Sequence, residues 1–357
     1  MLQVFGKKIV VIPLVESASR KLRIRKMARH VGVKEEKIVY VTPLGGSMSV
    51  LRHFVAVDKR KTSTGSSQGA VVLAIRGTYT LSGAKVDLQA FTMPYCDGLA
   101  HRGIAETSEL LWDAVKDKVI NALLDNEGYD LVITGHSLGA GAAALISLKL
   151  NHEKLLGKED PRLKDVKVRC FAFAPPPVYL PSKPDQSITN AMEDIHSFIH
   201  ENDVVPHLSA DAVRRLADTI KEVDDFAKRK IISRPLMAWG LKQIPQEVTK
   251  IVMDKDTDIE WVPDAERLAV PSPYVIWMRD VNNNDKDDRP VFNAMFCRPK
   301  HQNDGAGTND LNMMMDIGMI SDHMNPKYER AVNSILSQVL RKKQGYAFPL
   351  PKECSKS

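Results

Sequence analysis

The sequence predicts an α/β fold, with a mostly parallel central sheet and helices on both faces. Three observations carry the prediction. Between residues 53 and 200, apolar runs of strand length alternate with segments of helical period. Such alternation implies right-handed crossovers between parallel strands, with both sheet faces covered. A glycine-flanked serine, GHSLG at 135–139, sits between a β-type run and a run of small residues. And 357 residues, 43% hydrophobic and 26% charged, can bury a sizeable core without disulfides, which rules out wholesale disorder, collagen and a coiled-coil rod.

The elements follow in order. The spacing predicts strands over 53–57 and 70–76, joined by a polar loop, KRKTSTGSSQ, that suits phosphorylation or proteolysis. A helix is expected over 108–124, with its apolar residues at 111, 112, 115, 119, 122 and 123. Then come a strand over 131–136, a helix over 138–150, and a strand over 166–174 closed by three prolines. A short helix near 188–193 precedes a strand over 195–200. Beyond residue 206 the pattern changes. An amphipathic helix over 209–230 carries Val213, Leu216, Ala217, Ile220, Val223 and Ala227 on one stripe, and the remainder up to 265 is less periodic. Strands near 274–279 and 291–296 flank a polar turn. The last helix is expected to start with Asn325 as N-cap and Pro326 in its first position. Three regions result: an N-terminal extension, 1–39, packed on the core; a domain over 40–345 with an insertion near 207–265; and a tail, 346–357.

Charge and cysteine usage narrow the class. The net charge is +6 and the isoelectric point is near 9.0, which suits an anionic surface. The densest basic run, KLRIRKMAR at 21–29, reads as a solvated helix face rather than a nucleic-acid arm, and no nucleic-acid motif occurs. Cys96, Cys170, Cys297 and Cys354 are far apart, without zinc spacing, and Cys170 is expected in the core. The turn at 280–288 fails as a calcium loop, because Asp285 and Val291 occupy the positions that need Gly and Glu. No metal or cofactor is called for. No apolar run reaches 18 residues, and the N-terminal run is short and broken by Pro13. Leu2 excludes myristoylation, and the residues after Cys354 do not suit prenylation. With no glycosylation sequon, these features lean towards a cytoplasmic or peripheral-membrane setting.

The chemistry concentrates at Gly135-His136-Ser137-Leu138-Gly139. A serine on a tight strand-to-helix turn needs small neighbours, and Gly135 and Gly139 supply them. The following helix start offers N–H groups and the positive end of its dipole to a developing oxyanion. A serine hydroxyl needs a base, and in this architecture the acid and then the histidine follow the serine in the chain. Asp203 stands just past the 195–200 strand and is preferred to Glu201. His323 stands just ahead of the last helix and is preferred to His301, which has polar neighbours.

These residues lie among further blocks: AIRGT at 74–78, AHRG at 100–103, CFAFAPPP at 170–177, ENDVVP at 201–206, PSPYVIWMR at 271–279 and DHMNPKYE at 322–329. In that order they resemble the class 3, fungal-type lipases of the α/β-hydrolase superfamily, nearest the sn-1-specific diacylglycerol lipase-like branch. The resemblance implies a triad of Ser137, Asp203 and His323, and an oxyanion hole formed by the backbone N–H groups of Leu138 and Thr78. It implies a lid after the RGT block, with Leu81, Val86 and Leu88 as its apolar face, and places His101 near the site as supporting structure. The implied activity is hydrolysis of fatty-acyl esters of glycerolipids at a lipid or membrane surface. A phospholipase A1 or a short-chain esterase is the alternative on the same triad, and a non-catalytic lipid-binding member of the fold is disfavoured because all the required groups are present. Methionines 313–315 suit core packing better than an acyl channel. Oligomeric state stays open.

Overall fold

The computed structural model describes residues 20–43, 51–59, 69–77, 92–182, 186–207, 268–273, 275–280, 291–297 and 321–343. Its strands are β1 (Ile38–Val41), β2 (His53–Asp58), β3 (Ala70–Ile75), β4 (Thr92–Tyr95), β5 (Gly98–His101), β6 (Asp130–His136), β7 (Val168–Phe173), β8 (Tyr179–Pro181), β9 (Ile195–His200), β10 (Val275–Asp280) and β11 (Phe292–Cys297). Its helices are α1 (Arg20–Val31), α2 (Arg102–Leu124), α3 (Leu138–Glu153), α4 (Leu155–Glu159), α5 (Gln186–Glu193) and α6 (Asn325–Lys343).

Eight strands form the main sheet in the order β1-β2-β3-β6-β7-β9-β10-β11. The central five are parallel, while β1, β2 and β11 run antiparallel to their neighbours. Every residue of β2, β3 and β7 is buried, because helices cover both faces. On one face α2, α3 and α5 pack Leu111, Val115, Leu145, Leu148 and Ile188 against Val71, Leu73, Ile133 and Cys170. On the other, α1 supplies Met27, Ala28 and Val31, and α6 supplies Tyr328, Ala331, Val332 and Ile335. Each fully buried aliphatic side chain contributes about 1.5–3 kcal/mol, so this two-sided burial is the main stabilising term. The long run of Gly, Ala and Leu in α3 has no polar face because the helix lies between the sheet and α2 and α5.

Three local features differ from the expectation. Helix α2 starts six residues earlier than predicted, at the end of β5, and buries Ile104, Ala105 and Ser108. A second, three-stranded sheet, β4-β5-β8, lies outside the main one. Its hairpin turns on Cys96 and Asp97, both at positive φ (43° and 54°), one residue ahead of the Asp97-Gly98 pair that signals a turn. Tyr179 fixes that turn by donating to the Cys96 carbonyl at 2.5 Å. Finally, Asn325 is not a cap. A turn from Ser321 runs straight into α6, so the Lys327 N–H bonds the Met324 carbonyl at 2.9 Å. Asn325 is thus already helical, and its buried Oδ1 has no hydrogen-bond partner among the described residues. Among the described residues no helix is long and apolar enough to cross a membrane.

Candidate active site

Ser137 joins β6 to α3 with φ 58° and ψ −130°, a region that L-residues rarely occupy. Three backbone bonds hold it there: its N–H donates to the Phe173 carbonyl at 2.9 Å, and its carbonyl accepts from Ala140 at 2.8 Å and Gly141 at 3.1 Å. The flanking glycines are steric necessities. A Cβ on Gly135 would run into the Gly139 carbonyl, and one on Gly139 would lie 2.6 Å from the Ile75 oxygen and 2.9 Å from the Gly77 nitrogen. Helix α3 therefore starts pressed against the end of β3.

His323 arrives from the turn before α6, and its Nε2 lies 3.0 Å from Ser137 Oγ. Its Nδ1 lies 3.0 Å from each oxygen of Asp203. Asp203 is wholly buried, on the loop after β9. A buried carboxylate needs donors, and Asp203 has two more: the Val205 N–H at 2.9 Å and the Tyr328 hydroxyl at 2.6 Å. With Asp203 ionised, the network assigns the proton of His323 to Nδ1, which leaves Nε2 to accept the Ser137 hydroxyl proton. The three residues chosen from sequence, 186 positions apart at the extremes, form one continuous hydrogen-bonded chain.

Glu201, the rival acid, turns elsewhere. Its carboxylate accepts the Asp280 N–H, its carbonyl accepts Trp277 Nε1 at 2.6 Å, and Arg279 lies 3.7 Å away. It fastens the end of β10 rather than facing His323. Burial raises its pKa above the ordinary carboxylate value. His101 ends β5 and precedes α2, with its N–H on the Val178 carbonyl at 2.9 Å.

Three neighbours complete the site: Tyr328 and Asp322 were not singled out from sequence as site residues, and His136 was named only as part of the nucleophile turn. Tyr328, read as part of an apolar stripe, is a fully buried phenol that donates to Asp203 and accepts the His200 N–H at 3.0 Å. Burial and the adjacent Asp203 push its pKa well above the usual value. Asp322 accepts the Asn202 N–H at 3.3 Å and Lys327 Nζ at 2.9 Å. It thereby ties the residue before His323 to the residue before Asp203. His136, named for its place in the turn, has its ring centroid 4.6 Å from that of His323 and edge-on to Tyr328 at 5.5 Å. Burial, and then the His323 charge, push its pKa down to about 3, so it stays neutral beside the base. A tyrosine two residues after a proline, or a histidine inside a glycine turn, has no spacing signal that announces such roles.

Leu138 opens α3, where helical geometry leaves the first N–H groups without intrahelical acceptors. Gly77 lies against Ser137, and a Cβ there would meet the His136 carbonyl and stand 3.1 Å from Ser137 Cβ. Thr78, Leu81, Val86, Leu88, His301, the 209–230 helix, the 280–288 turn beyond Asp280, and Met313 to Met315 lie outside the described residues. Among the described residues, no group of three or more acidic, histidine or cysteine side chains is placed to hold a metal ion.

A largely parallel sheet, crossed by helices on both faces and carrying a serine on a sharp strand-to-helix turn at its carboxyl edge, defines the α/β-hydrolase fold. Residues 72–213 match the family model described as "Lipase (class 3)". The chain is similar to diacylglycerol lipase-beta of Mus musculus, 33% identical over 182 residues, covering 48% of this chain and 24% of that one. It is similar to the secreted mono- and diacylglycerol lipase A of Penicillium cyclopium, 32% identical over 158 residues, covering 43% and 46%. A solved lipase from Rhizopus microsporus var. chinensis overlaps 51% of this chain and 58% of its own, at 17% identity and a TM-score of 0.39. The chain thus resembles the class 3 lipases on their diacylglycerol lipase side, and spans about a quarter of the mouse relative and under half of the fungal one.

Proposed function

We propose that the protein is a serine hydrolase that cleaves fatty-acyl ester bonds of glycerolipids. The observation that carries the reading is the unbroken Ser137–His323–Asp203 chain on a strained turn. Ser137 Oγ attacks the ester carbonyl while His323 Nε2 takes its proton. Asp203 holds the ring in the required tautomer and stabilises the imidazolium, and three donors hold Asp203. The oxyanion is met by the N–H of Leu138 at the start of α3 and by that of Thr78, next to Gly77, where the positive dipole end adds to the field. His323 then returns the proton to the departing glyceride oxygen, and water resolves the acyl-enzyme by the same path in reverse. The named activities of the mouse and fungal relatives support a glyceride as the acyl donor. The region 79–91, with Leu81, Val86 and Leu88, is assigned as lid, residues 1–39 as an extension on the core, and 207–265 as an insertion in the 40–345 domain.

The test is acyl release from matched emulsions of diacylglycerol, triacylglycerol and phosphatidylcholine, with Ser137→Ala in parallel. The expected result is preference for the neutral glycerides, and a loss of at least about 10,000-fold in the variant. Release that persists in Ser137→Ala overturns the mechanism. A preference for phosphatidylcholine moves the substrate to phospholipids.

A further inference from the structure

The net charge of the chain is concentrated in one place. Residues 20–37 hold eight of the 50 basic residues and two of the 44 acidic ones, a net of +6. The remaining 339 residues hold 42 of each sign and are neutral in sum. This segment is α1 and the turn leading into β1. Helix α1 has no acidic residue. Its buried stripe, Met27, Ala28 and Val31, faces the sheet. Its outer stripe is Lys21, Leu22, Arg25, Lys26 and Arg29, all exposed, with Leu22 at 40%. Local carboxylates offset only part of it: Glu35 pairs with Arg25 at 3.0 Å, and Glu36 with Lys34 at 3.8 Å. Lys21, Lys26 and Arg29 have no ion pair among the described residues.

The placement of this helix matters as much as its charge. Arg23 donates to the Thr42 carbonyl at 2.8 Å, and Thr42 bonds His53. His53 is in register with Ile75, and Ile75 with Gly135, two residues before Ser137. The first turns of α1 are thus at the sheet end that carries the candidate active site.

We propose that the outer face of α1 docks the protein on an anionic phospholipid bilayer, bringing Ser137 to substrate held in that bilayer. The proposal rests on the glycerolipid reading for its choice of a lipid surface over a polynucleotide. Physically, a body neutral in sum apart from a cationic stripe is both attracted and oriented by a negative surface. Basic side chains reach phosphate and carboxylate head groups, and Leu22 enters the interfacial layer. The attraction acts within a Debye length, about 10 Å at 0.1 M salt.

The experiment is sedimentation with vesicles of phosphatidylcholine alone and of phosphatidylcholine containing about one-third phosphatidylserine. The proteins are the full chain, its Ser137→Ala form, and Lys21→Glu/Lys26→Glu. The expected result is partitioning onto the mixed vesicles, with at least about a thirtyfold loss in the double variant. Raising salt to about 0.5 M should have the same effect. Ser137→Ala should bind as wild type, and the double variant should hydrolyse a water-soluble butyrate ester at the wild-type rate, which also shows that it is folded. Equal partitioning onto both vesicle types, or unchanged partitioning of the double variant, overturns the proposal. So does tighter binding to duplex DNA than to the mixed vesicles at equal salt. If no ester is cleaved but charge-dependent docking persists, the hydrolase reading falls and the docking surface stands.

Discussion

At the scale of single residues, the Tyr328 hydroxyl does two jobs at once, as donor to Asp203 and acceptor from the His200 backbone. A hydrogen bond to a buried carboxylate contributes about 1.5–3 kcal/mol. Tyr328→Phe removes it without changing shape, and frees Asp203 to swing away from Nδ1. The expected outcome is a turnover number reduced about tenfold to a hundredfold with little change in KM, read on a soluble ester. His136 yields a pH prediction. In the unfolded chain it takes a proton near pH 6.5, and in the folded protein near pH 3. Its contribution to stability is complete above the higher value and is lost as pH falls towards the lower one, at about 1.4 kcal/mol per pH unit. Denaturant midpoints between pH 7 and pH 4 should therefore fall less steeply in His136→Asn than in wild type. Ser137, Asp203 and His323 were legible because their chemistry demands residue types in a fixed order at the ends of recognisable strands. Tyr328 was not, since a buried phenol in an apolar stripe looks like core until its partner is seen.

At the scale of elements, the α3 start is where sequence and sterics agree most closely. Gly139 faces backbone atoms of β3 and Gly77, none of which can rotate away as a side chain does. Gly139→Ala must then push α3 off β3 and carry Leu138 and Ser137 with it. We expect a loss of about 3 kcal/mol or more, or no soluble protein, seen as a lowered denaturant midpoint. Strand β9 was legible to the residue, because IHSFIH is bounded by an acidic pair and a loop of polar residues. The small sheet β4-β5-β8 was not. Its turn uses Cys96 and Asp97 in the left-handed region, held by Tyr179 from a strand over 80 residues away. Asp97 suits that conformation and Asp97-Gly98 marks a turn, so the tertiary contact is needed to explain only Cys96. Asn325 failed as a cap for a related reason, as the chain enters α6 through a turn that Ser321 and Met324 already satisfy.

At the scale of the molecule, the sheet is sealed by α2, α3 and α5 on one face and by α1 and α6 on the other. Among the described residues two helices cover the second face, and Met27 is one of the buried side chains there. Met27→Ala is expected to cost about 2–5 kcal/mol in unfolding free energy while leaving soluble-ester kinetics unchanged where the protein is folded. The parallel core was legible because buried central strands are apolar throughout. Strand β1 went unread because only its ends are buried, and an exposed Val39 blurs the alternation. The backbone at Ser137 has a further meaning at this scale. A glycine there would adopt φ 58° without strain, so Ser137→Gly should melt higher than the native chain, whereas Ser137→Ala should not. Mutational drift governed by folding alone would run towards glycine at this position, so durability and the proposed chemistry ask for different residues here.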